Sequence, residues 1–145
     1  MKTNRKQLQL AVCKALLDKD RRCSGAFIND NEFAVTVDGH CAYVFDKREC
    51  IFDISQIREL ESIKTAFADN EKDAEIKETK ELFLVGGKMV EKYENDDVIL
   101  YAYADVVKQF KGFHFYAFAS TGRVLVKDDF GRAVGLFLPM RYDGI

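Results

Sequence analysis

The sequence predicts an α+β fold made of two helix-plus-three-strand halves, with an inserted helix and hairpin between them. Three observations predict it. Leu8, Val12, Ala15 and Leu16 form an apolar seam at helical spacing near the start of the chain. Short period-two runs follow, divided by strong turn signals such as Asp38-Gly39. The order helix, strand, strand, strand then returns late in the chain, with no convincing residue identity between the two copies.

The elements follow in order. Residues 4–18 read as a helix that Asn4 can cap and that no Gly or Pro interrupts. Its second apolar row, Leu10, Cys13 and Leu17, needs cover of its own, from the domain or from a partner. Ser24 to Asn29 reads as a strand closed by the turn at Asp30-Asn31, and Glu32 to Val37 as a strand with Phe33, Val35 and Val37 on one face. Cys41 to Asp46 returns after Asp38-Gly39. In the second copy Ala104 to Lys111 is helical, with Val106, Val107 and Phe110 as its stripe and Gly112 ending it. Its strands are Phe113 to Ala119, Arg123 to Lys127 and Ala133 to Leu138.

Residues 47–97 form an insertion-like central segment. Ile54, Ile57, Leu60, Ile63 and Phe67 predict an amphipathic helix over 55–68. Asp69 to Lys80 reads as a charged, turn-prone, mobile stretch. Glu81 to Val85 and Lys88 to Tyr93 make a hairpin across Gly86-Gly87, and Val98 to Tyr103 a buried strand. With one proline and no Gly/Ser/Pro linker, residues 1–145 read as a single domain.

The composition, 48% hydrophobic and 32% charged, is that of a soluble globular protein. No apolar run approaches membrane-spanning length. Gln9 and Lys14 break the first apolar stretch, so it does not read as a signal peptide, and a cytoplasmic protein without membrane association is expected. The four cysteines contain no CxxC pair. Adjacent His40 and Cys41 point to opposite strand faces, so reduced thiols are expected rather than a metal site, and no cofactor is implied. Charge is uneven. Residues 1–22 hold seven Lys or Arg against two Asp, leaving an excess of carboxylates in the rest of a chain of net charge −2. Such a basic end fits either a nucleic-acid surface or a solvated helix face.

The run Ala104-Asp105-Val106-Val107-Lys108-Gln109-Phe110-Lys111 resembles the last helix of bacterial DNA polymerase sliding clamps, whose core reads D-V-L-x-x-L-K. Val124-Leu125-Val126-Lys127-Asp128 is similar to the family's V-x-I-x-D strand, and Leu138-Pro139-Met140-Arg141 to its terminal M-P-M-R. The three motifs occur in order at nearly the family's spacing. The resemblance, to the C-terminal domain of the clamp, implies a DNA-clamp-like domain whose helices face double-stranded DNA in a ring. It differs in holding one domain where family members hold three, and in the longer stretch 47–97.

The resemblance implies two sites. Leu138, Pro139, Met140 and Arg141, with Thr121 and Arg123 nearby, would line a groove for short linear peptides of replication proteins. The alternative is a strand end packed on its own core. Lys6, Lys14, Arg21, Lys108 and Lys111 would meet DNA phosphates without sequence preference, although Leu10 and Leu17 share their sector. His40 and His114 are isolated, with His114 read as an outward strand residue, so no enzyme is expected. The implied function is a clamp-like replication accessory and processivity factor that assembles as a homo-oligomeric ring. The alternative is a single-domain module that binds a protein or peptide without encircling DNA.

Overall fold

The computed structural model describes residues 5–20, 22–120 and 122–140. Helix α1 (Arg5–Leu17) leads into a meander of β1 (Ser24–Phe27), β2 (Glu32–Thr36) and β3 (Cys41–Asp46). A 3-10 turn at Ile54–Gln56, β4 (Arg58–Glu59) and α2 (Glu61–Ala66) follow. Then come β5 (Ala74–Val85), β6 (Lys88–Glu94) and β7 (Ile99–Tyr103). Helix α3 (Ala104–Val107) continues as a 3-10 turn at Lys108–Phe110 and feeds β8 (His114–Ala117), β9 (Val124–Lys127) and β10 (Ala133–Phe137). The fold is mixed α+β. Among the described residues no helix is long and apolar enough to cross a membrane.

The strands form one sheet in the order β4-β1-β2-β3-β10-β9-β8-β5-β6-β7. The two meanders therefore meet in the middle, where β3 runs antiparallel to β10 with Gly135 opposite Tyr43 and Phe137 opposite Cys41. Gly135 is required there. A Cβ would overlap Cε1 of Phe110 and stand 2.8 Å from its Cζ and 2.9 Å from the Ala42 carbonyl oxygen. The bare backbone lets Phe110 lie against β10 and stack between Tyr43 and Phe137.

Both faces of this central region are covered. Helices α1 and α3 share one face, where Val12, Ala15, Val107 and Phe110 join Phe45, Val124, Val126 and Phe137 in the main core. Helix α2 covers the other face, setting Ile63, Ala66 and Phe67 on Ala34, Val44, Leu125 and Leu136. Double cover explains why Val124-Leu125-Val126 is buried without interruption rather than alternating. Beyond β10 the chain curls round, and the Met140 N–H donates to the Tyr101 carbonyl on the outer side of β7 at 2.9 Å.

Three expectations are corrected. The helix over 55–68 shrinks to Glu61–Ala66. Asp53 accepts bonds from the Ser55 amide and hydroxyl and starts a 3-10 turn. Arg58 and Glu59 then pair with Ser24 and Gly25, taking backbone groups the helix would need. Ala74 to Lys80 is not a mobile stretch but the first part of β5, because Ala74–Ile76 pairs with β8 and buries Ile76 beside Phe115. The late helix tightens to 3-10 geometry after Val107. Asn4, the expected cap of the first helix, lies outside the described residues.

Candidate functional site

The sheet brings Arg123, Leu138, Pro139 and Met140 to one end, while Thr121 and Arg141 lie outside the described residues. Leu138 donates its N–H to the His40 carbonyl at 3.0 Å, continuing the β3–β10 ladder. One register step beyond the Phe137–Val124 pair, it stands beside Arg123. On the far side of Arg123 lies Phe118, its ring centre 6.0 Å from the guanidinium carbon. By strand alternation these side chains share the face that α2 covers. The next row inward, Leu125, Leu136 and Ala42, is buried under α2, but Phe118 (42% exposed) and Leu138 (45% exposed) are not. The result is an open apolar shelf just past the end of α2; Pro139 and Met140, next in the chain, are half-buried.

Arg123 is the fixed centre of this shelf. Two of its nitrogens donate to the Asp73 carboxylate at 2.7 and 2.9 Å. Its Nε donates to the Ala66 carbonyl (2.9 Å) and Nη2, already on Asp73, also to that of Ala68 (3.0 Å), at the end of α2, satisfying acceptors that the helix leaves open. The guanidinium is thus occupied by the protein itself. What it would offer a ligand is its aliphatic stem rather than its charged head.

The cations expected to face DNA divide into two kinds. Lys6 and Lys14 are exposed on α1 and form no ion pair among the described residues, but Leu10 and Leu17 lie exposed between and beyond them. Lys108 is exposed and 3.5 Å from Asp105. Arg21 lies outside the described residues. Lys111 turns inward, donating to the buried Glu91 carboxylate at 2.7 Å and to the Tyr93 hydroxyl at 3.4 Å. The Tyr93 hydroxyl also donates to Glu91, at 2.8 Å. Burial first, and then the bond to Glu91, push the Tyr93 phenol up. Arg5 is likewise engaged, by the Val44 carbonyl, Glu49 and the Phe45 ring.

His114 is not an isolated strand residue. Its ring bridges Asp129 at 2.6 Å and Glu75 at 2.9 Å, joining β5, β8 and the turn before β10. The bonds to Asp129 and then to Glu75 hold the imidazolium form and push its pKa up. Burial raises the Cys41 thiol to about 12 and the Cys50 thiol to about 11, which makes both poor nucleophiles near neutral pH.

Comparison with family models, curated proteins and solved structures finds no match for the chain.

Sequence reasoning missed Phe118, Asp73 and Glu91. Phe118 has the signal of continuing the aromatic run Phe113-His114-Phe115-Tyr116, which puts another ring past the strand end. Asp73 has none, since its partner lies fifty positions away. Glu91 shares strand parity with Tyr93, so a lone carboxylate on the core-facing side of β6 calls for an internal cation.

Proposed function

We propose that the chain is a single DNA-clamp-like domain that works as a protein-docking module of DNA replication. It takes a short apolar peptide on the shelf of Phe118, Arg123 and Leu138. The observation that carries this reading is the pair of exposed apolar side chains flanking an arginine that Asp73 and α2 hold in place. A rigid apolar row beside a helix end suits an extended or one-turn peptide with two apolar anchors. The resemblance of residues 104–141 to the clamp family supplies the replication context. The meeting of two helix-led meanders, with both helices on one face, is in keeping with a clamp-like layout.

The ring-forming alternative is favoured by one observation, the shared face of α1 and α3 with Lys6, Lys14 and Lys108 pointing outward. Against it, Lys111 is tied to Glu91, and the outer strands are poor joints. β4 has two residues, and β7 is bridged by Met140.

The test is fluorescence anisotropy with a labelled apolar clamp-binding peptide, in parallel with labelled duplex DNA. Docking on the shelf predicts that Leu138→Glu and Phe118→Ala each weaken peptide binding by roughly tenfold or more, while Lys6→Glu/Lys14→Glu leaves it unchanged. Binding that ignores Leu138 and Phe118 rejects the shelf. Salt-sensitive DNA binding lost in the lysine double variant, together with a light-scattering mass well above a monomer, would return the ring to first place.

A further inference from the structure

We propose that the outer edge of β5, from Leu82 to Val85, is a strand-addition site for an extended peptide of a partner protein, separate from the shelf at Leu138. β5 pairs with β8 only through Ala74–Ile76. Past that point the side of β5 away from β6 has no strand neighbour among the described residues. The first part of this open edge is guarded. The β5–β6 ladder shifts register between Glu78 and Leu82, where Lys80 adopts a φ of 66°, and the bulge and charges there discourage pairing. From Leu82 to Val85 the ladder is regular again and no charge guards it.

The turn that closes the hairpin fixes which groups point outward. Gly86 and Gly87 both have positive φ, and they join Val85 directly to Lys88 across the turn. In such a two-residue hairpin the flanking pair exchanges both hydrogen bonds, so Val85 and Phe83 bond to β6. The N–H and C=O groups of Leu82 and Leu84 therefore face away from it. Their side chains share one surface and are 57% and 73% exposed, and Met89, opposite Leu84, adds to the strip. Backbone donors and acceptors in a row, beside an apolar strip of period two, are complementary to an extended strand with apolar residues at alternate positions.

Below the bulge, where β8 leaves β5, a cleft of about 260 Å³ opens between Glu78, Phe110, Lys111, Phe113 and Phe115. A strand running from Leu84 past Glu78 covers about 20 Å, so one end of a bound peptide would reach this cleft. A second copy of the chain is the poorer occupant. Antiparallel pairing of two Leu82–Val85 stretches would bury a few hundred Å² per copy, below the roughly 800 Å² per partner of a stable interface. A peptide needs no such area to be recognised, because main-chain bonds supply its affinity.

The probe is a fluorescein-labelled octapeptide alternating valine and threonine, with a lysine at each end, titrated into the full chain. The expected result is saturable binding with hydrogen-exchange protection appearing at the Leu82 and Leu84 amides of the unaltered chain. Leu84→Pro removes an outward N–H and no β5–β6 bond, and Leu82→Lys/Leu84→Lys keeps the backbone and guards the edge. Each should weaken binding by roughly tenfold or more. Leu138→Glu should leave it unchanged, which separates this site from the shelf. No binding up to millimolar peptide, protection elsewhere, or self-association of the chain through Leu82 and Leu84 would each overturn the proposal.

Discussion

Asp73 and Arg123 form a two-pronged ion pair that fastens the segment after α2 to the start of β9, with side chains only 10% and 12% exposed. Beside the apolar packing of α2 on the sheet, Arg123 adds a polar tie by holding the carbonyls of Ala66 and Ala68. The pair governs both the stability of that corner and the shape of the shelf.

Replacing Arg123 by Ala strands a largely buried carboxylate and should lower unfolding stability by about 3 kcal/mol. Arg123→Lys should recover only part of that, because one ammonium cannot match the fork. Burial raises the Asp73 carboxyl, but its bonds from Arg123 and the Asn70 amide, with the charge of Arg123, more than reverse this and leave it lowered. Its stabilisation is therefore present above the unfolded value near ~4 and is lost as pH falls through the folded value. Urea midpoints of the parent and Asp73→Asn, measured from neutral to acid pH, should converge at the acid end.

Lys111 and Lys6 should behave oppositely. Lys111→Met leaves the buried Glu91 without its cation and should cost about 2–4 kcal/mol. Lys6→Met, on an exposed helix face, should change stability by less than about 0.5 kcal/mol. Chemical denaturation of the two variants decides this, and equal effects would refute the inward role of Lys111.

His114 makes a pH prediction of the opposite sign to that of Asp73. Its pKa is raised in the fold, so its contribution is fully present below the unfolded value near ~6.5 and disappears as pH rises through the folded value. The gap in urea midpoint between the parent and His114→Gln should be wide at mildly acid pH and close in mildly alkaline solution. A gap that widens with pH contradicts the assignment. By NMR, Asp129→Asn should bring the His114 titration back toward its ordinary value.

Gly135→Ala should destabilise by about 1–3 kcal/mol through the Phe110 ring and the Ala42 carbonyl, with no backbone strain involved. Phe110→Leu in the same background should restore part of the loss, which a thermal melt of the double variant would reveal.

What the sequence made legible was local. The Asp38-Gly39 and Gly86-Gly87 turns, the α1 seam at Val12 and Ala15, and the β9 run are set by neighbouring residues, and they stand where the pattern put them. The misreadings fell where distant partners decide. Ile54 to Phe67 has helical periodicity, yet Arg58 and Glu59 pair with a strand some thirty positions earlier. Ala74 to Lys80 looks like a solvated charge run because one edge of a long strand can be polar while Ile76 alone reaches the core. Leu10 and Leu17 were expected to need cover, and both are exposed. The shelf was half legible. Leu138 to Met140 came from the terminal motif and the aromatic run signals Phe118, whereas its place beside Arg123 and the Asp73 clamp depend on strand register that no local pattern encodes.

The position of β10 has a consequence for how the protein is made. Among the described residues it is the last of the ten strands in chain order, yet it sits between β3 and β9, and the residue that follows it by three reaches β7. On the ribosome, β3 is therefore synthesised long before its neighbour and waits with the apolar edge of Cys41 to Phe45 unfilled. Such sequence-distant pairing delays folding and lengthens the aggregation-exposed interval. A chain cut before Ala133 would lack the strand that joins its two halves. Nascent chains of this protein are accordingly expected to lean on chaperones until β10 has emerged.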